Sequence, residues 1–498
     1  MSMSSDEYPV CSMDERGYQP ESALFVVFGA TGDLSRRKIF PALFDLHAGK
    51  ILPPAFRMVG FARRPLDEPA FRAELKLNCL AHARNCGRVE ELWEEFSGRI
   101  TYIKSDLDDA SGYKVLARLV EEAIPGNALF YLAVGPEHFG TIAEHLGSAG
   151  LGTAGPVSAT VNSKAAGWRR LVVEKPYGRD IESARDLTRT LQENFAERDI
   201  FRIDHYLGKE TVQNLLYLRF ANSVFEPLWN RTHIESIEIS VFETEGIGQR
   251  GGYYDSAGAA RDMLQNHLIQ LMCLTTMEPP ASLDPESIRD EKVKVLRSVS
   301  VHSPSQMLGR SIRGQYEGYR NEDKVRPGSL TETFVSLRLE LDNWRFSGVP
   351  ITLRTGKAFS ERYSQIVIRF RRPPAALFAA HCGEDLMTNT LTIRVQPDEG
   401  VWLRFNAKIP GMPAIKASEL GFSYREVANY MPEAYERLIA DALSGDSTLF
   451  IRADESEQAW AIVDALEQAW AGAAPEASVE EGGLFVYPSG SPIPPDRP

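Results

Sequence analysis

Residues 202–210 read Arg-Ile-Asp-His-Tyr-Leu-Gly-Lys-Glu, which sets a carboxylate, an imidazole, a phenol and an ammonium within six positions. Asp204 is suited to orienting a general base, and His205, Tyr206 and Lys209 offer donors that match a phosphate or another anion. His205 and Lys209 are four apart, so a helical turn would bring them onto one face. Taken alone, the stretch is equally an ordinary polar helix start with a surface lysine. A second cluster, Arg261-Asp262-Met-Leu-Gln-Asn-His267, lies inside a helical pattern that continues to Met277. His267 sits among apolar residues, where a lone histidine is more often a satisfied core group than a catalyst.

The elements that must position these residues begin with Ala23 to Ala30 (ALFVVFGA), an apolar, β-rich run expected to be a strand buried on both faces. It feeds the turn Gly29-Ala30-Thr31-Gly32-Asp33-Leu34. A helical pattern follows through His47, closed by Gly49 at the C′ position. Pro41 inside that pattern predicts a kink, because it removes one ladder bond. Strand, glycine turn and helix together make a place for a pyrophosphate, with backbone close at hand and unpaired N–H groups at the helix start. The turn is shorter than the full three-glycine fingerprint and is a weak sign by itself. The next strand, Phe56 to Phe61, ends in Ala62-Arg63-Arg64. An acid there would hold a ribose 2′-hydroxyl, whereas an arginine favours a 2′-phosphate. An exposed strand-end arginine pair is the plainer alternative; with the glycine turn before it the balance moves to NADP, with NAD as a secondary coenzyme. A third strand, Ala128 to Val134, leads to Gly135-Pro136, and the Gly-, Ala- and Ser-rich segment from Gly150 to Gly167 reads as a surface loop. Leu171 to Gly178 (LVVEKPYG) closes this region. Lys175 stands at a strand carboxyl end, where open α/β sheets meet ligands, unless Glu174 and Lys175 form a surface pair. Pro176 is a candidate cis or hinge proline.

After Arg202 the alternation of strand and helix stops. Helices are expected at about 208–220 and 255–276, strands near 233–243, 333–342, 350–355, 364–371, 390–396 and 400–408, and two closing helices near 432–444 and 455–471. Strands grouped together with helices apart argue an antiparallel α+β domain, and an open sheet of that size needs a cover such as pairing across a two-fold axis. A chain of 498 residues suggests two domains, one of them large. A net charge of −13 argues against binding nucleic acid or an anionic membrane through bulk electrostatics. The five cysteines, Cys11, Cys79, Cys86, Cys273 and Cys382, are scattered, lack metal-ligand spacing and suit a reducing compartment. No apolar run is long enough for a membrane span, and the acidic first twenty residues resemble neither a signal nor a transit peptide but a disordered tail.

The motifs GATGDL, FAR, EKPYG, RIDHYLGKE, RDMLQNH, GKA and VQPDE occur in that order. Through them the chain resembles the glucose-6-phosphate dehydrogenases from about Val26 to the last helix. The resemblance implies a Rossmann-type α/β coenzyme domain over 21–202, then a larger α+β domain over 203–498 with a mainly antiparallel sheet, through which a homodimer or homotetramer would form in the cytoplasm. It implies oxidation of D-glucose 6-phosphate at C1 with NADP⁺, giving 6-phospho-D-glucono-1,5-lactone and NADPH. His267 becomes the base that takes the C1 hydroxyl proton, and Asp204 the carboxylate that orients it. His205, Tyr206 and Lys209 would hold the phosphate, with Lys357 and Arg362 as a second basic element; by motif alone those last two are solvated surface charges. Glu243, Asp262 and Gln396 would meet the sugar hydroxyls, and Lys175 would touch both sugar and coenzyme. Gly29, Ala30, Thr31, Gly32, Asp33, Leu34, Arg36 and Arg63 would line the coenzyme. No metal is implied. The sequence departs from the family at Gly135, where a second proline is usual, which loosens the backbone near the nicotinamide position, and at Phe139, often a tyrosine. A non-catalytic sensor of NADP and sugar phosphate, or a dehydrogenase of another hexose 6-phosphate, are the rival readings.

Overall fold

The computed structural model describes residues 20–123, 126–154, 167–300, 303–373, 387–426, 431–473, 478 and 482–494. The tail expected over 1–20 lies outside them apart from Pro20, as does most of the loop expected between Gly150 and Gly167. The chain forms two compact units. One runs to Gly208 and also takes in Leu283–Arg289 and Pro432–Glu457; the other is built from Lys209–Ser282, Asp290–Met431 and Gln458–Pro498.

In the first unit, strands β1 (Leu24–Phe28), β2 (Arg57–Ala62), β3 (Ile100–Lys104), β4 (Ala128–Leu132), β5 (Arg169–Val173), β6 (Ile200–Ile203) and the short β15 (Phe450–Ile451) make one sheet in the order β15-β6-β5-β4-β1-β2-β3. All pairs are parallel except β15 with β6. Every residue of β1 is buried, as its unbroken apolar run requires of a strand covered on both faces. Phe28, Phe61 and Tyr113 pack ring to ring at 4.9 and 5.2 Å above it. This is the doubly wound dinucleotide-binding order, in which the winding reverses between β1 and β4 and a crevice opens outside their carboxyl ends.

The helix after β1 departs from the expected plain kink. Its ladder widens into a π-helical turn over Ser35–Ile39 before the α-helix Phe40–Ala48 begins with Pro41 in its first turn. Pro41 has no N–H to offer the carbonyl four residues back, so the chain re-spaces its bonds just ahead of it. Nor is Gly49 the left-handed C′ residue. It keeps helical angles (φ −78°), and Lys50 takes the left-handed turn at φ 59°. The Lys50 N–H then meets the His47 carbonyl and Ile51 N–H that of Leu46, each at 2.9 Å.

The second unit carries strands β7 (Ile234–Phe242), β8 (Ser311–Tyr316), β9 (Phe334–Leu339), β10 (Ile351–Gly356), β11 (Tyr363–Phe370), β12 (Thr390–Gln396), β13 (Gly400–Lys408), β14 (Ile415–Ser423) and β16 (Leu484–Tyr487). Their order is β14-β13-β12-β11-β7-β10-β9-β8-β16, antiparallel except for the pairs β7–β10 and β8–β16. The six expected strands stand within a few residues of their places. β8, β14 and β16 were not legible: β8 (SIRGQY) is interrupted by arginine, glycine and glutamine, and β14 is an outer strand with no alternating buried face. The expected helix over 255–276 is three pieces, Gly251–Ala259, a π-helical Ala260–Leu268 and Ile269–Thr276, with a break at Gly258 (φ 68°, ψ 177°).

Two glycines near the β1–β4 switch differ in what they require. Gly29 has φ 77°, and a Cβ there would stand 2.4 Å from the Ala133 carbonyl oxygen. Gly135 has φ −64° and ψ 148°, angles open to any residue, so its freedom is not used. Gly29→Ala is therefore expected to cost about 1–3 kcal/mol in urea denaturation of the coenzyme-free protein. Gly135→Pro should cost nothing and stabilise by up to about 1 kcal/mol in the same measurement.

Candidate active site

Each unit brings its own set of the expected residues to a strand edge. In the first, the β1 turn folds back on itself: Gly29 N–H bonds the Phe61 carbonyl (2.9 Å) and Gly32 N–H the Gly29 carbonyl (2.8 Å). Buried Ser35, which sequence reasoning did not single out, donates its hydroxyl to the same Gly29 carbonyl at 2.9 Å and locks the turn. A Cβ at Gly32 would stand 3.0 Å from that oxygen. Ala30 is buried, Thr31, Leu34 and Arg36 are half-buried, and Asp33 points to solvent with Arg37 at 3.8 Å. At the end of β2 the arginine pair divides its work. Arg64 is claimed bidentately by Glu74 at 2.9 and 3.0 Å, while Arg63 is exposed and has no ion-pair partner among the described residues. A backbone cradle that a Cβ would fill, with an available guanidinium beside it, fits a dinucleotide bearing a 2′-phosphate.

The β5 exit is not a surface pair. Glu174 is buried and accepts from the Tyr131 hydroxyl at 2.6 Å and from Tyr435. Burial pushes its carboxyl up, and burial followed by the Glu174 charge pushes both phenols up. Lys175 follows it, half-buried, on a cis peptide to Pro176. Tyr435, on the helix Ala434–Ser444, stacks on His205 (6.5 Å, 9° between planes), so one distant side chain supports both the β5 exit and the loop after β6. Gly208 allows that helix to approach, since a Cβ there would stand 2.7 Å from the Ala434 carbonyl.

The expected helical face shared by His205 and Lys209 does not form. Asp204, fully buried, accepts the Tyr206 N–H on its side chain (3.0 Å) and the Leu207 N–H on its carbonyl (3.0 Å), and this local turn replaces helix until Glu210. Aspartate offers the backbone such a turn more readily than it enters a helix. Arg202 is a structural member of the motif, buried on Glu197 at 2.7 and 3.0 Å.

In the second unit, β7, β10 and β12 all point their carboxyl ends to one sheet edge, because β10 is parallel to β7 and β12 is two antiparallel steps away. Glu243, Lys357 and Gln396 are the residues that leave or end those strands. The edge is stitched by Glu243 N–H to the Gly356 carbonyl (3.0 Å) and Phe359 N–H to the Glu243 carbonyl (3.1 Å). Lys357 is buried, bonds the Glu243 carboxylate, and lies 5.4 Å over the Tyr254 ring; it is no solvated surface charge. Lys209 donates to the Gln396 side chain. Arg362 does behave as a surface cation, exposed and 3.7 Å from Glu245.

His267 is 1% exposed and Asp262 3%, both on the π-helical segment. Asn266 fills the wider spacing there, donating to the Asp262 carbonyl (3.1 Å) and accepting the His267 N–H (2.6 Å). Asp262 also lies 3.5 Å from the Tyr253 hydroxyl, whose titration burial and then Asp262 push up. Arg261 on the same segment pairs with Glu467 at 3.0 Å. Burial, then the neighbouring Glu332, push the Glu467 carboxyl up to about 8 against the pull of Arg261 and Arg313. No local signal in the sequence announces Tyr435 or Glu332 as supports.

The description "Glucose-6-phosphate dehydrogenase, NAD binding domain" matches residues 26–214, and "Glucose-6-phosphate dehydrogenase, C-terminal domain" matches 216–496. Glucose-6-phosphate 1-dehydrogenase 2 of Mycobacterium tuberculosis is 41% identical over 463 residues, 90% of this chain and 88% of that one. Glucose-6-phosphate 1-dehydrogenase of Bacillus subtilis is 40% identical over 471 residues, 91% of this chain and 92% of that one. A glucose-6-phosphate dehydrogenase solved in complex with glucose-6-phosphate superposes with a TM-score of 0.85 at 36% identity, covering 96% of both chains. Glucose-6-phosphate 1-dehydrogenase from Mycobacterium avium gives 0.79 at 33% identity, covering 95% of both.

The raised Glu467 titration has a consequence for stability. Its proton is held in the folded state and lost on unfolding between the ordinary 4.5 and about 8, so its contribution to stability falls as pH rises through that window. Urea midpoints of Glu467→Gln relative to the unsubstituted protein should therefore shift in the variant's favour between about pH 5 and about pH 8. A difference that is flat, or that moves the other way, contradicts the assignment.

Proposed function

The chain belongs to the glucose-6-phosphate dehydrogenase family, and from that premise we propose that it oxidises D-glucose 6-phosphate at C1 with NADP⁺. The products are 6-phospho-D-glucono-1,5-lactone and NADPH, the first step of the oxidative pentose phosphate pathway. The observation that carries this is the family match across 26–496, which includes intact Asp204, His205, Lys209 and His267.

When bound, NADP⁺ supplies the acceptor for the hydride that leaves C1. His267 takes the proton of the C1 hydroxyl as the lactone carbonyl forms, and a base positioned for that transfer is worth ~10²–10⁴ in rate. Asp204 serves as the carboxylate partner that fixes the tautomer of the base and favours the imidazolium. His205, Tyr206 and Lys209 hold the 6-phosphate, joined by Lys357 and Arg362. Glu243, Asp262 and Gln396 exchange hydrogen bonds with the sugar hydroxyls, and Lys175 serves both sugar and coenzyme. Gly29 to Leu34 and Arg36 cradle the pyrophosphate, and Arg63 meets the 2′-phosphate.

In this reading residues 21–202 bind the coenzyme, while residues 203–498 bind substrate and join copies of the chain. Leu420 and Phe422 on β14 are exposed, which supports assembly as a homodimer or homotetramer through this sheet. Among the described residues no helix is long and apolar enough to cross a membrane, and Cys79 and Cys86 are free thiols. A cytoplasmic location agrees with both.

NADPH formation from glucose 6-phosphate tests the reaction. His267→Asn should lower kcat by ~10²–10⁴ with little change in substrate KM. Arg63→Ala should raise the KM for NADP⁺ by about tenfold or more while leaving that for NAD⁺ nearly unchanged. Galactose 6-phosphate turned over as fast as glucose 6-phosphate would move the assignment to another hexose 6-phosphate. NADP⁺ binding without turnover would leave a sensor.

A further inference from the structure

We propose that Glu332 is a positioning residue for the helix that carries His267, an inference that rests on His267 being the base. The helix Gly251–Ala259 breaks at Gly258, and the π-helical segment Ala260–Leu268 starts directly after the break. A helix start leaves N–H groups without acceptors on its own ladder, and a carboxylate there is favoured by the aligned peptide dipoles. Here one residue from a distant part of the chain meets two of those groups. The Glu332 carbonyl accepts the Ala259 N–H at 3.0 Å, and its carboxylate accepts the Ala260 N–H at 2.9 Å.

Glu332 sits two residues before β9, which fixes it to the frame of the sheet, and it is 4% exposed. Gly258 makes the approach possible. A Cβ there would stand 2.2 Å from the same carboxylate oxygen, and its φ of 68° is one that other residues resist. Arg261, one residue beyond the capped amide, is tied to Glu467 at 3.0 Å. Arg261, Arg313, Glu332 and Glu467 share the wall of a cavity of about 590 Å³, so polar side chains surround the cap. The first turn of the base-bearing segment thus meets two acidic side chains from distant parts of the chain. A slip or rotation of that turn is passed along a rigid ladder to Asp262 and His267.

The cap is an acceptor function, so a neutral oxygen should perform it. Glu332→Ala should lower kcat by ~10- to 100-fold, the scale of a misplaced catalytic group, while the KM values for glucose 6-phosphate and NADP⁺ stay within about twofold. Glu332→Gln keeps an oxygen for the Ala260 N–H and should return kcat to within about threefold of the parent. Gly258→Ala presses on the same oxygen and should lose kcat in the same way. Combining it with Glu332→Ala should cost little more, because the two changes damage one contact.

A Glu332→Ala protein that melts lower but keeps full kcat while folded would show a stabilising contact only and overturn the proposal. A folded Glu332→Gln protein as slow as the alanine variant would overturn it too. If the alanine variant does not fold, the kcat of Glu332→Gln and of Gly258→Ala decides: near-parental for the first with a loss in the second supports the proposal, and any other pairing overturns it. His267→Asn run alongside separates the premises. Full activity in that variant removes the base on which the proposal depends, whereas an inactive His267→Asn beside a fully active Glu332→Ala removes the role of Glu332 alone.

Discussion

A carboxylate withdrawn from water must find donors, and Glu174, Asp204 and Glu332 each find theirs where local segments need an anchor. Glu174 draws Tyr131 and Tyr435 together at the β5 exit. Asp204 turns the chain after β6 by accepting a backbone N–H two residues on. Glu332 receives the start of the π-helical segment. An apolar residue at any of these places would leave a phenol or a backbone amide buried without its partner, at roughly 1–3 kcal/mol each.

Strand direction supplies the other constraint. Parallel neighbours bring carboxyl end beside carboxyl end at one edge, whereas antiparallel neighbours bring carboxyl end beside amino end. The parallel pairing of β7 with β10 breaks that alternation and lets Glu243 and Lys357 meet, with Gln396 leaving β12 on the same edge. In the first unit the parallel pairing of β1 to β5 does the same work, gathering the glycine turn, Arg63 and Lys175 at strand carboxyl ends. Both units thereby present prepared polar groups at a sheet edge, and such groups need not reorganise when charge moves.

Much of this was legible from residue order. The buried run of β1 and its glycine turn, the arginines after β2, and the lysine after β5 all stood where periodicity placed them. So did the long strands of the second sheet, because a covered strand must be apolar at regular intervals. What was not legible has a common cause. β8, β14 and β16 are held by neighbours rather than by their own pattern, and the π-helical turns arise where Pro41 or the break at Gly258 disturbs a ladder that periodicity treats as uniform. Gly49 looked like the left-handed end of its helix, yet Lys50 took that conformation because the Leu46 and His47 carbonyls lay within reach of the amides that follow.

By itself the sequence determined the kinds of groups present and their spacing, and so the dinucleotide turn, the family motifs and the chemistry they can support. Spacing along a chain is a local property, and such turns and motifs are local too. Only the tertiary structure decided that Arg64 is spent on Glu74 while Arg63 stays available, that Lys357 is buried on Glu243 while Arg362 faces water, and that Tyr435 and Glu332 serve as supports. Those outcomes depend on which distant segment arrives beside each charge and on how much water it displaces, and neither quantity is written in the neighbouring residues.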